Sequence, residues 1–327
     1  MLREKNKIIV ILGPTASGKT RLGVKLCLKF NGEIVSADSR QVYKGMDIGT
    51  GKDLKEYQIS LKAKSYKLKA IKYHLIDIVS PKKRFDLAQY QKMAFQAIDN
   101  ILSRKKQPFL VGGTGLYIQS IVDNYNLFDA KPNIELRKKL EMLNINDLIE
   151  KFKIINKKFS AYAKVSVDRQ VDIKLFNNIL QNNKRRIIRY IELMEKKKMP
   201  FDKIFKKNKP KYDVLILGLT FPNEILADKI DKRLKKWLGK EDLIGEIKNL
   251  RKNGVSWKRL EEFGLEYKWI SYYLRNKISY EETQEFILRD IKKFAKRQMT
   301  WFKRDKKVKW IKNYNQAEKL VKKFLKE

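Results

Sequence analysis

The sequence predicts an α/β protein with a parallel-sheet core, an inserted helical domain and a helical C-terminal region. In the first 125 residues, short runs rich in Ile, Val and Leu alternate with helical patterns. A long lysine-rich helical stretch follows over residues 131–211, and Asp213–Leu219 is again a buried-strand pattern. We therefore expect residues 1–125 and 212–327 to form the core, and residues 126–211 to form the inserted domain.

The individual elements follow the order expected of a parallel sheet. The strand Lys7–Leu12 leads through a glycine turn into a helix at Thr20–Phe30. Further strands are predicted at Glu33–Ser36, Tyr73–Ile78 and Phe109–Val111, with a helix at Asp86–Leu102. After the strand at 213–219, helices are predicted at Glu224–Trp237, Asp242–Lys252, Glu281–Phe302 and Gln316–Leu325.

Charge is the strongest compositional signal. The chain carries 75 Lys and Arg against 37 Asp and Glu, a net charge of +38, while 43% hydrophobic residues exclude a wholly disordered basic chain. Residues 131–211 alone hold 23 basic and 9 acidic residues. This surplus favours a nucleic-acid partner, although AT-rich coding would also enrich the chain in lysine.

Several classes of protein are disfavoured. No apolar stretch reaches the roughly 18 residues of a membrane-spanning helix, and the N-terminus runs directly into a motif, so we expect a cytoplasmic protein without a membrane partner. Cys27 and His74 are the only cysteine and histidine, which excludes a disulfide framework and a Cys/His metal site within the chain. A histidine-centred triad would depend on His74 alone.

The first chemical motif is a phosphate-binding loop of the ATP- and nucleotide-binding type, so the core is expected to be P-loop NTPase-like. It follows a strand and opens a helix, and it reads Gly13-Pro14-Thr15-Ala16-Ser17-Gly18-Lys19-Thr20. Its backbone N–H groups and helix N-terminus suit a phosphate. Lys19 can reach a terminal phosphate, and the Thr20 hydroxyl can bind Mg²⁺. The motif indicates a diphosphate or triphosphate without specifying which.

Two further segments follow predicted strands at the same sheet edge. In the segment Ser36–Tyr43, Asp38 can serve as a general base, as a Mg²⁺ partner or as a helix N-cap. In the glycine-rich segment Gly112–Tyr117, the Thr114 hydroxyl can donate to a phosphate oxygen, although glycine clusters are also ordinary turns.

Two basic clusters are candidate RNA contacts. The first mixes cations with aromatic rings, which suits phosphates and splayed bases, and comprises Lys296, Arg297, Gln298, Trp301, Phe302 and Lys303. The second, on a predicted helix of the insertion, comprises Arg185, Arg186 and Arg189. A solvated helix face with a core tryptophan would also explain the first cluster.

Taken together, these segments resemble the tRNA dimethylallyltransferase family, also called tRNA isopentenyltransferases, of the bacterial type. The resemblance rests on GPTASGKT at 13–20, SADSRQVYKGMDIGTGK at 36–52, HLIDI at 74–78, FLVGGTGLYI at 109–118 and AKRQMTWFK at 295–303. It covers almost the whole chain.

The resemblance implies a prenyltransferase that uses Mg²⁺. It would move the dimethylallyl group of dimethylallyl diphosphate to the exocyclic amine of the adenosine just 3′ of the tRNA anticodon. The P-loop would hold the diphosphate in place of ATP, the partner would be the anticodon stem-loop, and a monomer is expected.

The resemblance also assigns residues. Asp38 matches the family's catalytic aspartate, and Lys19, Thr20 and Thr114 would stabilise the leaving diphosphate. Contacts to tRNA fall on Asp38, Ser39, Arg40, Gln41 and Thr114, on the arginines at 185, 186 and 189, and on the segment 296–303. The family's diphosphate-contacting arginine corresponds to Lys229, with Arg233 one turn later, and either can take the role.

This chain departs from the family at Gly51, Asp53 and Glu266, where Ala, Pro and Gly are usual. Two alternative functions stay open at this point. A P-loop kinase acting on a small molecule or an RNA end would carry the same phosphate loop, and it would require ATP. A non-catalytic RNA-binding protein is the other alternative, and the presence of Lys19, Thr20 and Asp38 argues against it.

Overall fold

A computed structural model describes residues 6–52, 54–60, 68–127, 132–162, 183–205 and 208–327. It has eight described strands: β1 Lys7–Leu12, β2 Gly32–Ser36, β3 Gln58–Ser60, β4 Leu68–Ala70, β5 Tyr73–His74, β6 Gln107–Gly112, β7 Asp213–Leu219 and β8 Lys309–Ile311. Six of them form one parallel sheet in the order β5-β2-β6-β1-β7-β8, and β3 and β4 form an antiparallel pair.

The described helices fall into three groups along the chain. The first is α1 Lys19–Lys29, α2 Leu87–Ser103 and α3 Gly115–Val122. The second is α4 Ile134–Glu141, α5 Ile145–Tyr162, α6 Lys184–Lys197 and α7 Phe201–Phe205. The third is α8 Asn223–Gly239, α9 Leu243–Lys252, α10 Trp257–Phe263, α11 Leu265–Tyr273, α12 Tyr280–Phe302 and α13 Tyr314–Lys326. None of the helices in the described ranges is long and apolar enough to cross a membrane.

The sheet is buried on both faces, as its apolar strands predict. Successive side chains of β1 point to opposite faces, so Ile8 and Val10 pack with α2 and α3, whereas Ile9 and Ile11 pack with α1 and α13. β1 lies between β6 and β7, which brings a strand from residue 213 beside one from residue 7. The predicted α/β class with a parallel sheet is confirmed.

One predicted strand is wrong in its extent. The segment Tyr73–Ile78 contains only the two-residue strand β5, because Leu75 (φ 63°) and Asp77 (φ 55°) adopt left-handed backbone conformations that interrupt an extended chain. The segment then crosses the carboxyl edge of the sheet, where Ile78 N donates to Val42 O at 2.9 Å. The sequence pattern also missed β8, the β3–β4 pair and the helices α10 and α11.

The chain divides into two compact units, Met1–Val122 with Pro210–Glu327, and Asp123–Lys209. The second unit has its own apolar core, in which Leu148 and Phe152 of α5 pack with Ile187 and Ile191 of α6. Within this core the Glu192 side chain is 1% exposed and binds Arg137 and Arg189.

Candidate active site

A cleft of about 540 Å³ opens at the carboxyl edge of the sheet, where an open parallel sheet places its ligands. The P-loop forms its floor. The loop leaves β1 after Leu12, turns through Ala16 (φ 60°) and Gly18 (φ 75°), and enters α1 at Lys19. Glycine at position 18 adopts this φ without the strain that a side chain would add.

Two cations flank the loop. Lys19 lines the cleft, where burial lowers its pKa to about 8, partly offset by the nearby negative charge of Asp38. Arg233 of α8 donates from Nη2 to Thr15 Oγ1 at 2.6 Å, and burial lowers its pKa to about 10. Both groups carry positive charge at neutral pH, so the loop is built for an anion.

The two candidates for the diphosphate-contacting cation have different surroundings. Arg233 touches the P-loop itself and stacks over Trp237 at 4.3 Å. Lys229 also lines the cleft, and its Nζ lies 3.7 Å from the centre of the Phe221 ring. Arg233 therefore has the direct contact with the loop.

Asp38 follows β2 and faces the same cleft as Lys19. Its Oδ1 accepts the N–H groups of Arg40 at 2.9 Å and Gln41 at 3.4 Å. These bonds close a turn and no helix follows, so the helix N-cap interpretation of Asp38 is wrong. Among the described residues, no hydrogen bond is made to Oδ2.

The glycine-rich loop after β6 packs against the Asp38 turn. Thr114 Oγ1 accepts the N–H of Ser39 at 3.0 Å and donates to Ser39 Oγ at 3.3 Å. Gly112 and Ala37 are in such close contact that a Cβ at residue 112 would clash with the Ala37 backbone. Thr114 and Ser39 thus join the two loops at the cleft wall.

Gln41 supports the segment that closes one side of the cleft. Its Nε2 lies 3.4 Å from the carbonyl oxygens of both Thr50 and Gly51. Gly51 has φ 63°, and a Cβ there would lie 3.2 Å from Arg233 Nη1. The glycine that departs from the family is therefore suited to its backbone conformation, while Asp53 lies outside the described residues.

Arg40 turns into the protein, where Glu266 is its ionic partner. Arg40 Nη2 lies 3.0 Å from Glu266 Oε1, and its guanidinium lies 5.2 Å from the centre of the Tyr267 ring. Burial acts to lower the pKa of Arg40, but the charge of Glu266 and the effects of Tyr267 and Asp38 raise it overall. Arg40, which was predicted to contact RNA, therefore already has an ionic partner, Glu266, within the protein.

A second, half-buried carboxylate holds a segment of the cleft wall and was not found from sequence. Glu246 of α9 accepts the N–H groups of Asp47, Ile48 and Gly49, and the hydroxyl of Tyr267 at 2.7 Å. Burial raises the pKa of Glu246, against these hydrogen bonds. No local motif marks Glu246, because its backbone partners lie about 200 residues earlier in the chain.

The helix α12 presents its basic-aromatic segment on two sides. Lys296, Arg297 and Lys303 are exposed, as the RNA-contact prediction requires. Gln298 is buried and binds both the P-loop and the glycine-rich loop. Trp301 packs against Gly115 and the core beside β6, which supports the core-tryptophan alternative.

The arginines of the helical unit also differ from one another. On α6, Arg185 and Arg186 are exposed, whereas Arg189 is an ionic partner of the buried Glu192, with 2.5 Å between Nη1 and Oε2. The three predicted RNA contacts thus lie in two different environments.

The cleft offers few protein ligands to a magnesium ion. Thr20 and Asp38 both line it and supply the hydroxyl and carboxylate oxygens that Mg²⁺ prefers. The described residues contain no group of three or more His, Cys, Asp or Glu side chains placed to hold a metal. This donor set suits an ion that is bound mainly by ligand phosphates and water.

A P-loop and an aspartate that share one cleft at the carboxyl edge of a parallel sheet are typical of P-loop proteins that bind a phosphorylated ligand. Comparison with known proteins narrows this class. The model of the IPP transferase family matches residues 41–305. The chain belongs to this family, that of the tRNA dimethylallyltransferases, which are prenyltransferases.

Individual relatives agree with this placement. A tRNA dimethylallyltransferase 2 of Treponema denticola is 40% identical over 317 residues, which span 95% of this chain and 97% of the relative. A tRNA dimethylallyltransferase of Acetivibrio thermocellus is 38% identical, over 97% of this chain and 96% of its own. The crystal structure of the full-length tRNA isopentenylpyrophosphate transferase of Bacillus halodurans matches with a TM-score of 0.65 at 31% identity, over 98% of this chain and 96% of that chain.

Proposed function

We propose that this protein transfers the dimethylallyl group of dimethylallyl diphosphate to the exocyclic amine of the adenosine 3′ of a tRNA anticodon, and releases diphosphate. The observation that carries the proposal is that Lys19 of the P-loop and Asp38 line one cleft. A leaving-group site and a proton acceptor on the same cleft are what this transfer needs.

The P-loop side of the cleft suits the leaving group. When the allylic C–O bond breaks, positive charge develops on the dimethylallyl group and negative charge on the departing diphosphate. Lys19, Arg233 and the N-terminus of α1 are positioned before the reaction to stabilise that negative charge. Mg²⁺, held by the Thr20 hydroxyl and the phosphates, would neutralise part of the same charge.

The Asp38 side suits the nucleophile. The adenine amine forms the new C–N bond to the dimethylallyl carbon and must then lose a proton. Asp38 Oδ1 is fixed by backbone N–H groups, and the carboxylate can accept that proton. Ser39 and Thr114 form the adjoining wall and are suited to contact the flipped nucleotide.

Binding of tRNA is supported by charge. The exposed Lys296, Arg297 and Lys303 of α12, and Arg185 and Arg186 of α6, can contact phosphates. The target base must leave its stack at a cost of a few kcal/mol, which such contacts to the flanking backbone help offset.

The test is mass spectrometry of nucleosides from unmodified tRNA that has been incubated with the protein, Mg²⁺ and dimethylallyl diphosphate, without ATP. We expect one prenylated adenosine per tRNA molecule, located by digestion to the anticodon loop. An unmodified product would contradict the proposal. A parallel reaction with ATP tests the kinase alternative, since phosphorylation of the RNA would replace prenylation.

A further inference from the structure

Gln298 connects two loops that lie far apart in the sequence. Its Oε1 accepts the N–H of Thr15 in the P-loop at 2.8 Å, and its Nε2 donates to the carbonyl oxygen of Gly113 at 2.9 Å. The side chain is 6% exposed. Both polar atoms of the amide are therefore used inside the protein, whereas its position in a basic segment predicts an RNA contact.

The two loops serve the two halves of the cleft. Thr15 leads into Lys19, which belongs to the diphosphate side. Gly113 leads into Thr114, whose hydroxyl accepts the N–H of Ser39 beside Asp38. The amide of Gln298 thus stands between the leaving-group site and the proton acceptor.

The glycine at 113 is explained by this contact. A Cβ on Gly113 would lie 2.5 Å from Gln298 Nε2, with Lys19 Cε as the next neighbour at 3.5 Å. Gly113 has no left-handed backbone angle that would demand glycine. A side chain at this position would therefore displace the Gln298 amide.

Thr15 is held from two directions. Its N–H binds Gln298, and its hydroxyl accepts from Arg233 at 2.6 Å. The Thr15 N–H points to the amide, so the first part of the P-loop is fixed by protein groups before any anion binds. A loop that is already ordered pays a smaller conformational-entropy cost when it binds its ligand.

We propose that Gln298 is a positioning residue that sets the distance between the diphosphate-binding loop and the Asp38 side of the cleft, and is not an RNA contact. This inference rests on the proposed function. Because a displacement of about 1 Å can cost roughly 100-fold in rate, loss of this link is expected to lower kcat while leaving tRNA affinity intact.

The experiment is a double-mutant cycle with Gln298→Met, which keeps the side-chain length without the two hydrogen bonds, and Gly113→Ala, which displaces the amide. Each single variant is expected to lower kcat by about 10- to 100-fold. The double variant is expected to be no worse than either single variant, since both remove one contact. Gln284→Met, the same substitution at an exposed position of this helix outside the segment 296–303, is the control and should retain wild-type kcat.

Affinity for tRNA is measured across a salt series in parallel. We expect the dissociation constant to stay within twofold of wild type, with an unchanged salt slope. A weaker tRNA complex with normal kcat would overturn the inference in favour of an RNA contact, and multiplicative losses in the double variant would also overturn it. Melting curves show whether Gln298→Met is folded. If it is not, Gly113→Ala is used alone, since it retains the Gln298 side chain and only displaces its amide. A normal kcat for Gly113→Ala would then overturn the inference.

A failure of the proposed function gives a different result. If the wild-type protein does not prenylate tRNA, the same cycle is measured on the affinity for inorganic diphosphate. Weakened binding in both single variants, without further loss in the double variant, would support the role of Gln298. Unchanged affinity in both would overturn it.

Discussion

Arg40 and Glu266 form an ion pair inside the cleft, with 3.0 Å between Nη2 and Oε1 and side-chain exposures of 17% and 1%. Glu266→Gln would leave the Arg40 guanidinium buried without its counter-charge. We expect the free energy of unfolding to fall by about 3 kcal/mol, the usual cost of removing one partner of a buried pair. Calorimetric or denaturant unfolding measures it.

A matched control for this variant is Asp228→Asn. Asp228 pairs with Lys232 at 2.8 Å, and the two side chains are 56% and 73% exposed, so the change should cost less than about 1 kcal/mol. Replacing both Arg40 and Glu266 with Met should destabilise less than Glu266→Gln alone. Equal effects of Asp228→Asn and Glu266→Gln would contradict the importance of the buried pair.

Asp38→Asn separates the role of the carboxylate from that of the turn. Asparagine keeps the Oδ1 acceptor for the N–H groups of Arg40 and Gln41, but it cannot take a proton. We expect kcat for prenylation to fall by about 10²- to 10⁴-fold, with tRNA affinity within severalfold of wild type.

The control for Asp38→Asn is Asp305→Asn. Asp305 Oδ1 accepts the N–H of Lys307 at 2.9 Å in a similar turn, outside the cleft. This variant should keep wild-type kinetics. A kcat within threefold of wild type for Asp38→Asn would remove Asp38 from the proton-acceptor role.

Two arginines of α6 are expected to respond differently to the same substitution. Arg185 is exposed, so Arg185→Gln should reduce the salt slope of tRNA binding by about 1 and leave the melting temperature unchanged. Arg189→Gln removes a partner of the buried Glu192 and should cost about 1–3 kcal/mol of stability.

Fluorescence titration of tRNA at several salt concentrations, with a melting curve for each variant, gives both quantities for the two arginines. An unchanged slope for Arg185→Gln would show that this face of α6 lies away from the RNA. A normal melting curve for Arg189→Gln would show that Arg137 alone satisfies Glu192.

Glu33 predicts a pH-dependent contribution to stability. Hydrogen bonds from Arg104, and also from His74 and Lys106, lower the pKa of Glu33 against the effect of burial. A carboxylate with a lowered pKa stabilises the fold above its ordinary pKa of 4.5 and loses this effect as the pH falls through the lowered value.

Glu33→Gln should therefore cost about 3 kcal/mol at pH 7, and its difference from wild type should narrow below pH 4.5. Urea unfolding from pH 7 to pH 3 measures this. Glu195→Gln, whose partner Lys198 is 68% exposed, is the control and should show little effect at any pH. A difference for Glu33→Gln that is constant with pH would contradict the assignment.

The parts of the fold that depend on local pattern were predictable. β1 and β7 lie where their apolar runs place them, and the P-loop follows β1 directly. Local pattern did not show β8, since it is only three residues long and forms by pairing with β7. The predicted strand at 73–78 is longer than the observed β5, because local pattern does not show the left-handed backbone angles of Leu75 and Asp77.

The candidate site shows the same division. Lys19 and Asp38 were found from motifs, because each chemistry-bearing group sits in its own short signature. The link through Gln298 and the carboxylate of Glu246 were missed, since each acts on loops about 200 or more residues away. Arg233 and Lys229 stay alternatives for the diphosphate contact, and no local pattern shows that Arg233 is the one that contacts Thr15.

The contact between Gln298 and Thr15 has a consequence for synthesis on the ribosome. The P-loop leaves the exit tunnel before Gln298, the side chain that accepts its Thr15 N–H, because Gln298 is translated about 280 residues later. Likewise, one edge of the central strand β1 stays unpaired until β7 has been translated. A nascent chain that ends before α12 therefore carries the complete phosphate-binding motif without the helix that fixes it.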